Sequence, residues 1–452
     1  MSKWSKGVIL LLVWGVMPPL YAASYTLEDC LRIAEEKSSE LKDYREQLKK
    51  ADAQVDEVYG RALPSIDFTA QYQWEDYTAA SKSGLTPSFL DSTSADFNPT
   101  AAMTVGYLGG SMAPSAWQLN AGFTATQILF AQGKVATGLK IAKENRNRMN
   151  VEYDQILRNL HRDVRSLFMQ SLFLQEGIVT YDSALAQIGR YRKLAENSYQ
   201  SGLVSELELL RAQVSEEDLR AGRQQMVSSL LLLRNSLLQK IGLEFDPDVQ
   251  FIGELEEELP QIDLSTAIDK ALANRQELRQ LEYAKKIQEE LVTIERSDYL
   301  PLLVLGGSAM KVGNGEEWND LRFATDYRVF LQAKWNIFNG MQTRNKVVQA
   351  KTEKRRLEIT LENARNGIRL EVESLWATYD EALKRLPVRL RQEELSKKAL
   401  TIAEKSWEVG GVTQLELLDA QLNWRNARLE LLRAQVDAQI AYRALYAAQG
   451  IW

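Results

Sequence analysis

The sequence SYQSGLVSELELLRAQ spans residues 198–213, and a similar sequence, SWEVGGVTQLELLDAQ, spans residues 406–421. Each lies inside a long helical pattern that a glycine interrupts, at Gly202 or at Gly410. The serine or threonine three residues after each glycine is a side chain that helices prefer at their N-cap. Each stretch therefore predicts a helix–turn–helix tip.

The similarity between the tips extends along the chain as an internal duplication. Residues 208 positions apart match around and beyond the tips, whereas the matching offset up to Pro64 and Pro301 is 237. The first copy therefore holds 29 more residues, and we expect them in the loop at 75–116. The predicted organisation is a signal peptide (1–22), a first repeat (23–245), a linker (246–260) and a second repeat (261–452).

The first 22 residues have the pattern of a secretory signal peptide. Two lysines precede an apolar run from Val8 to Leu20, and small residues around Ala22 provide a cleavage site. The run is short for a membrane-spanning helix. We therefore expect an exported mature protein.

Charge and rare residues exclude several function classes. The net charge is −6, and it becomes −8 without the two signal-peptide lysines, which argues against nucleic acid as a partner. The chain has one cysteine, Cys30, predicted to be a core residue, and one histidine, His161, predicted to lie on the surface. This leaves little material for a disulfide, a transition-metal site or a histidine-dependent nucleophile. We expect no cofactor and no enzymatic activity, and no nucleophile motif accompanies carboxylate pairs such as Glu416 and Asp419.

Hydrophobic periodicity predicts the same elements in each repeat. The first repeat reads as a helix over 27–61, strands over 66–74 and 117–125, a long helix from about 130 to 200 and a return helix over 205–241. The second reads as a helix over 264–299, a poorly alternating strand over 302–310, a loop around 313–315, a strand over 327–335, and another long helix and return helix. Pro387 should kink or break the second long helix.

The predicted strands have one apolar face and a length that suits a tilted strand crossing an outer membrane. Aromatic residues near the strand ends fit an interfacial girdle: Trp74, Tyr77, Trp117 and Trp335. An ordinary soluble sheet packed on helices is the alternative. Because four strands cannot close a barrel, the membrane interpretation requires several chains in one barrel. The competing function is a soluble periplasmic coiled-coil scaffold.

The signal peptide, the duplicated order of elements and the paired Gly…Leu-Glu-Leu-Leu…Ala-Gln tips resemble the TolC family of outer-membrane efflux channels. The resemblance implies a mainly α fold with a small β part, in which a long antiparallel coiled-coil α-helical barrel continues into a transmembrane β-barrel. It also implies a homotrimer in which each protomer supplies four of 12 strands. The β-barrel would lie in outer-membrane lipid of a Gram-negative bacterium and the helices in the periplasm. The implied partners are a periplasmic adaptor and an inner-membrane RND or ABC transporter, for efflux or type I secretion.

The resemblance also implies roles for residues at the tips. Glu416 and Asp419 correspond to acidic residues that narrow the periplasmic entrance, and Glu208 corresponds to an acidic partner in the gate. Trp407 takes the place of an aromatic hydrogen-bonding residue. Val412 stands where a related protein has a gate-locking arginine, so the basic candidate here is Arg211. Adaptor docking would involve the turns Gly202-Leu203-Val204 and Gly410-Gly411-Val412.

Overall fold

A computed structural model describes residues 24–74, 117–255, 259–315, 319 and 321–451. The predicted signal peptide and the loop at 75–116 lie outside these residues. The helices are α1 (Leu27–Lys37), α2 (Ser39–Gly60), α3 (Lys134–Gln200), α4 (Glu206–Ile241), α5 (Leu264–Asn274), α6 (Gln276–Ser297), α7 (Gln342–Glu408) and α8 (Gln414–Ala448). The strands are β1 (Ser24–Tyr25), β2 (Ser65–Trp74), β3 (Trp117–Phe130), β4 (Gln250–Phe251), β5 (Leu302–Gly315) and β6 (Arg322–Lys334). The same order of elements thus occurs twice.

The chain divides into two compact units, each built from both repeats. Among the described residues, the first unit comprises those within 1–47, 150–279 and 362–452, and the second comprises those within 48–149 and 280–361. In the described part of the first unit, helices surround an apolar core and β1 pairs in parallel with β4. Cys30 is fully buried in that core, as predicted. No described helix is both long and apolar enough to cross a membrane.

The helices predicted over 27–61 and 264–299 are each two helices, so those two predictions were wrong. Ser38 and Arg275, which are 237 positions apart, have extended backbones that separate α1 from α2 and α5 from α6. Each break faces the glycine that follows a return helix. A side chain on Gly242 would lie 2.3 Å from the carbonyl oxygen of Lys37, and one on Gly450 would lie 2.7 Å from the carbonyl carbon of Asn274. The break is therefore a tertiary feature, formed where two backbones touch.

Each break also holds an ion-pair cluster, but the two repeats supply its cation from different positions. In the first repeat, Lys240 lies 3.1 Å from Glu40 and 3.2 Å from Asp163. The equivalent carboxylates in the second repeat are Glu277 and Glu371, because they follow these acids by 237 and 208 positions. Arg275 lies between these two carboxylates, 3.0 Å from Glu277 and 2.7 Å from Glu371. The position equivalent to Lys240 is Ala448, whose carbonyl accepts a hydrogen bond of 2.7 Å from Arg275 Nε. The return helix therefore supplies the cation in the first repeat, whereas the residue at the break supplies it in the second.

Pro387 was expected to kink or break the second long helix, and it does not break it, because α7 continues as one helix from Gln342 to Glu408. Ion pairs to α8 hold the turns on both sides of the proline. Arg385 lies 3.1 Å from Asp437, and Arg389 lies 3.3 Å from Glu430. A helical proline removes one hydrogen bond and crowds the preceding turn. Contacts to the partner helix stabilise the helical form against that cost.

His161 is not the surface residue that the sequence predicted. Its side chain is 14% exposed, and its Nε2 lies 2.8 Å from Glu35 Oε1. Burial lowers the pKa of the imidazole, against the opposing effects of Glu35. The charged neighbours of His161 along α3 concealed this burial, because periodicity does not show that another helix covers a polar residue.

The second unit contains a four-stranded antiparallel sheet in the order β2-β3-β5-β6. All four predicted strands are present, although β5 runs through the glycines that predicted a loop at 313–315. The register pairs Phe68 with Phe123, Ala309 with Phe123, and Ala309 with Tyr327, so these side chains share one face. We call this the apolar face, and it includes large exposed side chains: Ile66, Phe68, Tyr72, Trp74, Phe123, Tyr327, Val329 and Leu331. The opposite face, here the polar face, carries Thr69, Gln71, Asn120 and Gln332.

Candidate functional site

The two tips, residues 201–205 and 409–413, have the same backbone geometry. In the first, the amide of Leu203 donates to Ser198 O (2.8 Å) and the amide of Gly202 donates to Tyr199 O (2.9 Å). The equivalent bonds in the second tip measure 2.7 and 3.0 Å. This is the Schellman arrangement, which places a glycine in the left-handed region, and φ is +73° at Gly202 and +75° at Gly410. The glycines that predicted the tips therefore end the two long helices.

The N-caps of the following helices differ between the tips. Thr413 and Glu416 form a capping box, in which the Thr413 hydroxyl accepts from the Glu416 amide and the Glu416 carboxylate accepts from the Thr413 amide at 2.7 Å. The backbone amide and then the hydroxyl of Thr413 lower the pKa of this carboxyl group. Ser205 occupies the N-cap of α4 without a side-chain capping bond within the described structure. Glu416 thus combines an exposed charge with a structural role that the sequence analysis missed.

Asp419 lies one turn after Glu416 and is exposed, and its carboxylate accepts a hydrogen bond of 3.1 Å from Asn423. Arg211 and Asp419, which the duplication makes equivalent, line one open groove between α4 and α8. Leucines from the first turns of both helices, including Leu207 and Leu415, are half exposed beside it. Within the described residues no ion pair joins Glu208 to Arg211, so the first tip does not neutralise its own charge.

Three contacts join the hairpin α3–α4 to the hairpin α7–α8 near the tips. The ring of Trp407 packs edge to face against Tyr191, with centroids 5.0 Å apart. Gln414 donates from its side chain to the carbonyl of Glu208 at 3.1 Å. The guanidinium of Arg425 lies 5.5 Å from the ring centroid of Tyr181. The structure therefore brings together Trp407 and Glu208 with partners that no sequence motif had indicated.

Tyr191 is the central residue of this contact. Its hydroxyl donates to Glu404 at 3.4 Å. Burial, followed by the charge of Glu404, raises the pKa of Tyr191 to about 12, so the phenol stays a hydrogen-bond donor at physiological pH. For Trp407 the structure shows this ring contact, and its hydrogen-bonding role stays a prediction.

A buried carboxylate ties α3 to α4 above the first tip. Glu216 has a side chain only 9% exposed, and it lies 2.6 Å from both Arg192 and Arg220. Position 424, which is equivalent to 216, holds a tryptophan whose indole donates to Glu393 at 3.1 Å. The only sequence signal for this cluster was the acid–arginine spacing of four residues between Glu216 and Arg220.

The loops of both tips expose apolar side chains. Leu203 is 78% exposed and Val409 is 83% exposed. Val204 and Val412 are half buried. Exposed apolar residues at the end of a helical hairpin are typical of a surface that meets another protein.

Comparison with known proteins identifies a family that this chain matches. The family model described as "Outer membrane efflux protein" matches residues 30–242 and 267–451. No curated protein sequence matches the chain at a significant level.

Solved structures with the same fold cover nearly the whole chain. The CmeC outer membrane channel of Campylobacter jejuni has a TM-score of 0.74 at 16% identity, over 94% of this chain and 85% of that one. The open-state MtrE outer membrane channel of Neisseria gonorrhoeae has a TM-score of 0.70 at 18% identity, over 94% and 89%. CusC, from a study of transmembrane channel formation, has a TM-score of 0.73 at 15% identity, over 94% and 92%.

The family model covers both repeats, and the fold agrees over most of each chain compared. The family consists of channel proteins and not of enzymes. The TolC-like resemblance seen in the sequence is confirmed. The chain therefore belongs to the outer membrane efflux protein family.

Proposed function

We propose that three copies of this chain form one export duct, whose 12-stranded β-barrel takes four strands from each copy. The observation that carries this proposal is the sheet itself. It has an exposed apolar face, and it ends in two edge strands, β2 and β6. A membrane strand needs a partner for every backbone group, because lipid offers no hydrogen bonds. Pairing β2 of one copy with β6 of the next satisfies both edges and closes the barrel.

Cysteine cross-linking tests this pairing. In the double variant Gln71→Cys with Asp326→Cys, a short bis-maleimide should link neighbouring chains into a covalent trimer and no larger species, measured by denaturing electrophoresis. Within one chain the two strands are three strand spacings apart, about 14 Å, which a short linker does not span. The thiol of Cys30 should not react, because burial raises its pKa to about 12. Each single-cysteine variant serves as a control, and products confined to a dimer would contradict the trimer.

The tips would form the periplasmic gate of this duct, with Glu416 and Asp419 as charged rings around its axis. Both side chains are exposed, one helical turn apart. Three copies would bring six carboxylates together, and such rings favour cations. Glu208, Arg211 and Trp407 would belong to the same gate, with the contacts of Trp407 and Glu208 holding the two hairpins together when the gate is closed.

The gate assignment predicts a loss of charge selectivity. The double variant Glu416→Gln with Asp419→Asn should reduce the preference for cations, measured as the reversal potential across a planar bilayer in a salt gradient. Glutamine can still form the capping box, so the helix start should persist. Glu206→Gln removes one charge at the first tip and should leave selectivity unchanged, whereas an equal effect there would argue against a role confined to the second tip.

We further propose that the tip loops dock a periplasmic adaptor, which connects the duct to an inner-membrane RND or ABC transporter. The docking residues would be Gly202, Leu203, Val204, Gly410, Gly411 and Val412. The exposed apolar side chains at the loops support this, since a charge there would oppose burial at an interface. Val409, which directly precedes the second docking turn, is exposed like Leu203, and Leu203→Asp with Val409→Asp should abolish co-purification of the adaptor while leaving channel conductance intact. Retained co-purification would exclude the loops as the docking surface.

A further inference from the structure

A cavity of about 690 Å³ lies in the second unit, where the strands meet the helices. Its strand residues come from the helix-proximal ends of all four strands: Ser65, Thr126, Ile128, Leu302 and Lys334. Residues of the adjoining turns and helices complete the wall, among them Arg61, Lys134, Asp298 and Asn339.

The cavity opens on the polar face of the sheet. Strand register shows this directly. Ser65 pairs with Thr126, Val304 pairs with Ile128, and Leu302 pairs with Lys334, and all of these lie on the face opposite Phe68 and Phe123. The hydroxyls of Ser65 and Thr126 lie 2.6 Å apart within the wall. In a barrel whose apolar face meets lipid, this face borders the water-filled duct.

The cavity wall carries an excess of positive charge. Its charged residues are Arg61, Lys134, Lys334 and Asp298, which sum to +2. Lys134 pairs with Asp298, and Arg61 lies 2.8 Å from Glu57, outside the wall. Lys346 stands 4.0 Å from the same Asp298, so that carboxylate is already shared. No ion pair within the described ranges involves Lys334, whose side chain is exposed beside the amides of Asn336 and Asn339. This arrangement differs from the net acidity of the whole chain and from the acidic second tip.

We propose that this cavity is a binding site for anionic groups, phosphate or carboxylate, of solutes that pass through the duct. Lys334 is its principal cation, with Arg61 and the neighbouring amides as further donors. Ammonium and guanidinium groups form charge-assisted hydrogen bonds with such anions. A membrane lipid would present its phosphate on the apolar side of the sheet, so the polar face favours a solute. This inference rests on the proposed duct, since only there does the polar face border the transport path.

Current block by a soluble polyanion tests the site in the assembled channel. Tripolyphosphate added to the bath of a planar bilayer should reduce the single-channel current of the wild-type protein. Lys334→Gln with Arg61→Gln should raise the blocking concentration by about tenfold or more, since each lost charge-assisted hydrogen bond corresponds to about that factor. Arg328→Gln is the matched control, because Arg328 shares strand and face with Lys334 but lies 2.8 Å from Asp326, outside the cavity. The control should retain wild-type block.

The outcomes separate this inference from the duct itself. Absence of any conductance in wild-type protein would contradict the duct. Normal conductance with no block by tripolyphosphate, or with equal block in the double variant, would overturn the anion site alone. Bilayers of neutral and of anionic lipid provide two further arms. At a salt concentration that screens the repulsion of tripolyphosphate by the membrane surface, loss of block only in anionic lipid would show that a lipid phosphate occupies the site in place of the solute.

Discussion

Arg275→Ala is expected to lower the free energy of unfolding by about 2–4 kcal/mol. Its guanidinium is 10% exposed, and it lies between Glu277 and Glu371 while donating to the carbonyl of Ala448. Removing one partner of a fully buried pair typically costs about 3–5 kcal/mol, because the remaining charges stay unpaired. The two carboxylates here are 37% and 49% exposed, so solvent reduces that cost. Denaturant unfolding of the full-length protein in detergent, followed by circular dichroism, measures the change.

The exposed neighbour Arg279 provides the control for this prediction. Arg279→Ala should change the free energy of unfolding by about 0.5 kcal/mol or less, as surface substitutions usually do. Equal effects at positions 275 and 279 would show that the ion-pair cluster contributes nothing specific.

The cation of the ion-pair cluster occupies different positions in the two repeats, and substitutions that give the first repeat the arrangement of the second test whether these positions are equivalent. Lys240→Ala recreates in the first repeat the alanine found at 448, and it should destabilise the protein less than Arg275→Ala because Lys240 is more exposed, at 31%. Adding Ser38→Arg to that variant places an arginine at the position equivalent to 275. We expect the double variant to regain part of the lost stability. Ser38→Arg alone should destabilise, since it would place two cations beside one pair of acids, and a double variant no better than either single one would refute the equivalence.

Gly242→Ala is expected to cost about 2–5 kcal/mol, from two sources. Its φ of +78° is unfavourable for a side chain, by about 1–2 kcal/mol. A Cβ there would also lie 2.3 Å from the carbonyl oxygen of Lys37, and overpacking against backbone costs about 1–3 kcal/mol more. The same denaturant measurement applies.

Substitution of Gly202 distinguishes the conformational cost of a positive φ from the cost of overpacking. Its φ of +73° matches that of Gly242, but no described atom lies within 4 Å of the added Cβ. Gly202→Ala should therefore cost only the conformational part. If both alanine variants lost the same stability, close contact with the break at Ser38 would have no energetic role.

Much of this architecture is local in origin. The hydrophobic periodicity of the long helix predicted over 130–200 and the alternation along 66–74 depend only on neighbouring residues. One period places apolar side chains on one face of a helix, and the other places them on one face of a sheet. Gly202 and Gly410 end their helices because each adopts a positive φ, a backbone conformation that is unfavourable for residues with a side chain. Element types, the duplicated order and the tips therefore followed from the sequence, and with them the family.

Contacts between residues that are distant in the sequence were decided by the tertiary structure alone. The breaks at Ser38 and Arg275 lie in helical patterns, and they become extended where Gly242 and Gly450 bring another backbone close. Pro387 stays helical because the partner helix α8 holds the turns around it. At the second tip, periodicity could place Glu416 and Asp419 on one face, but it could not show that Thr413 binds the first of them. Likewise, Tyr191 meets Trp407 across 216 positions of the chain, a separation over which periodicity carries no information. Burial and partners of a polar side chain depend on which helix covers it, and that is settled only when the chain folds.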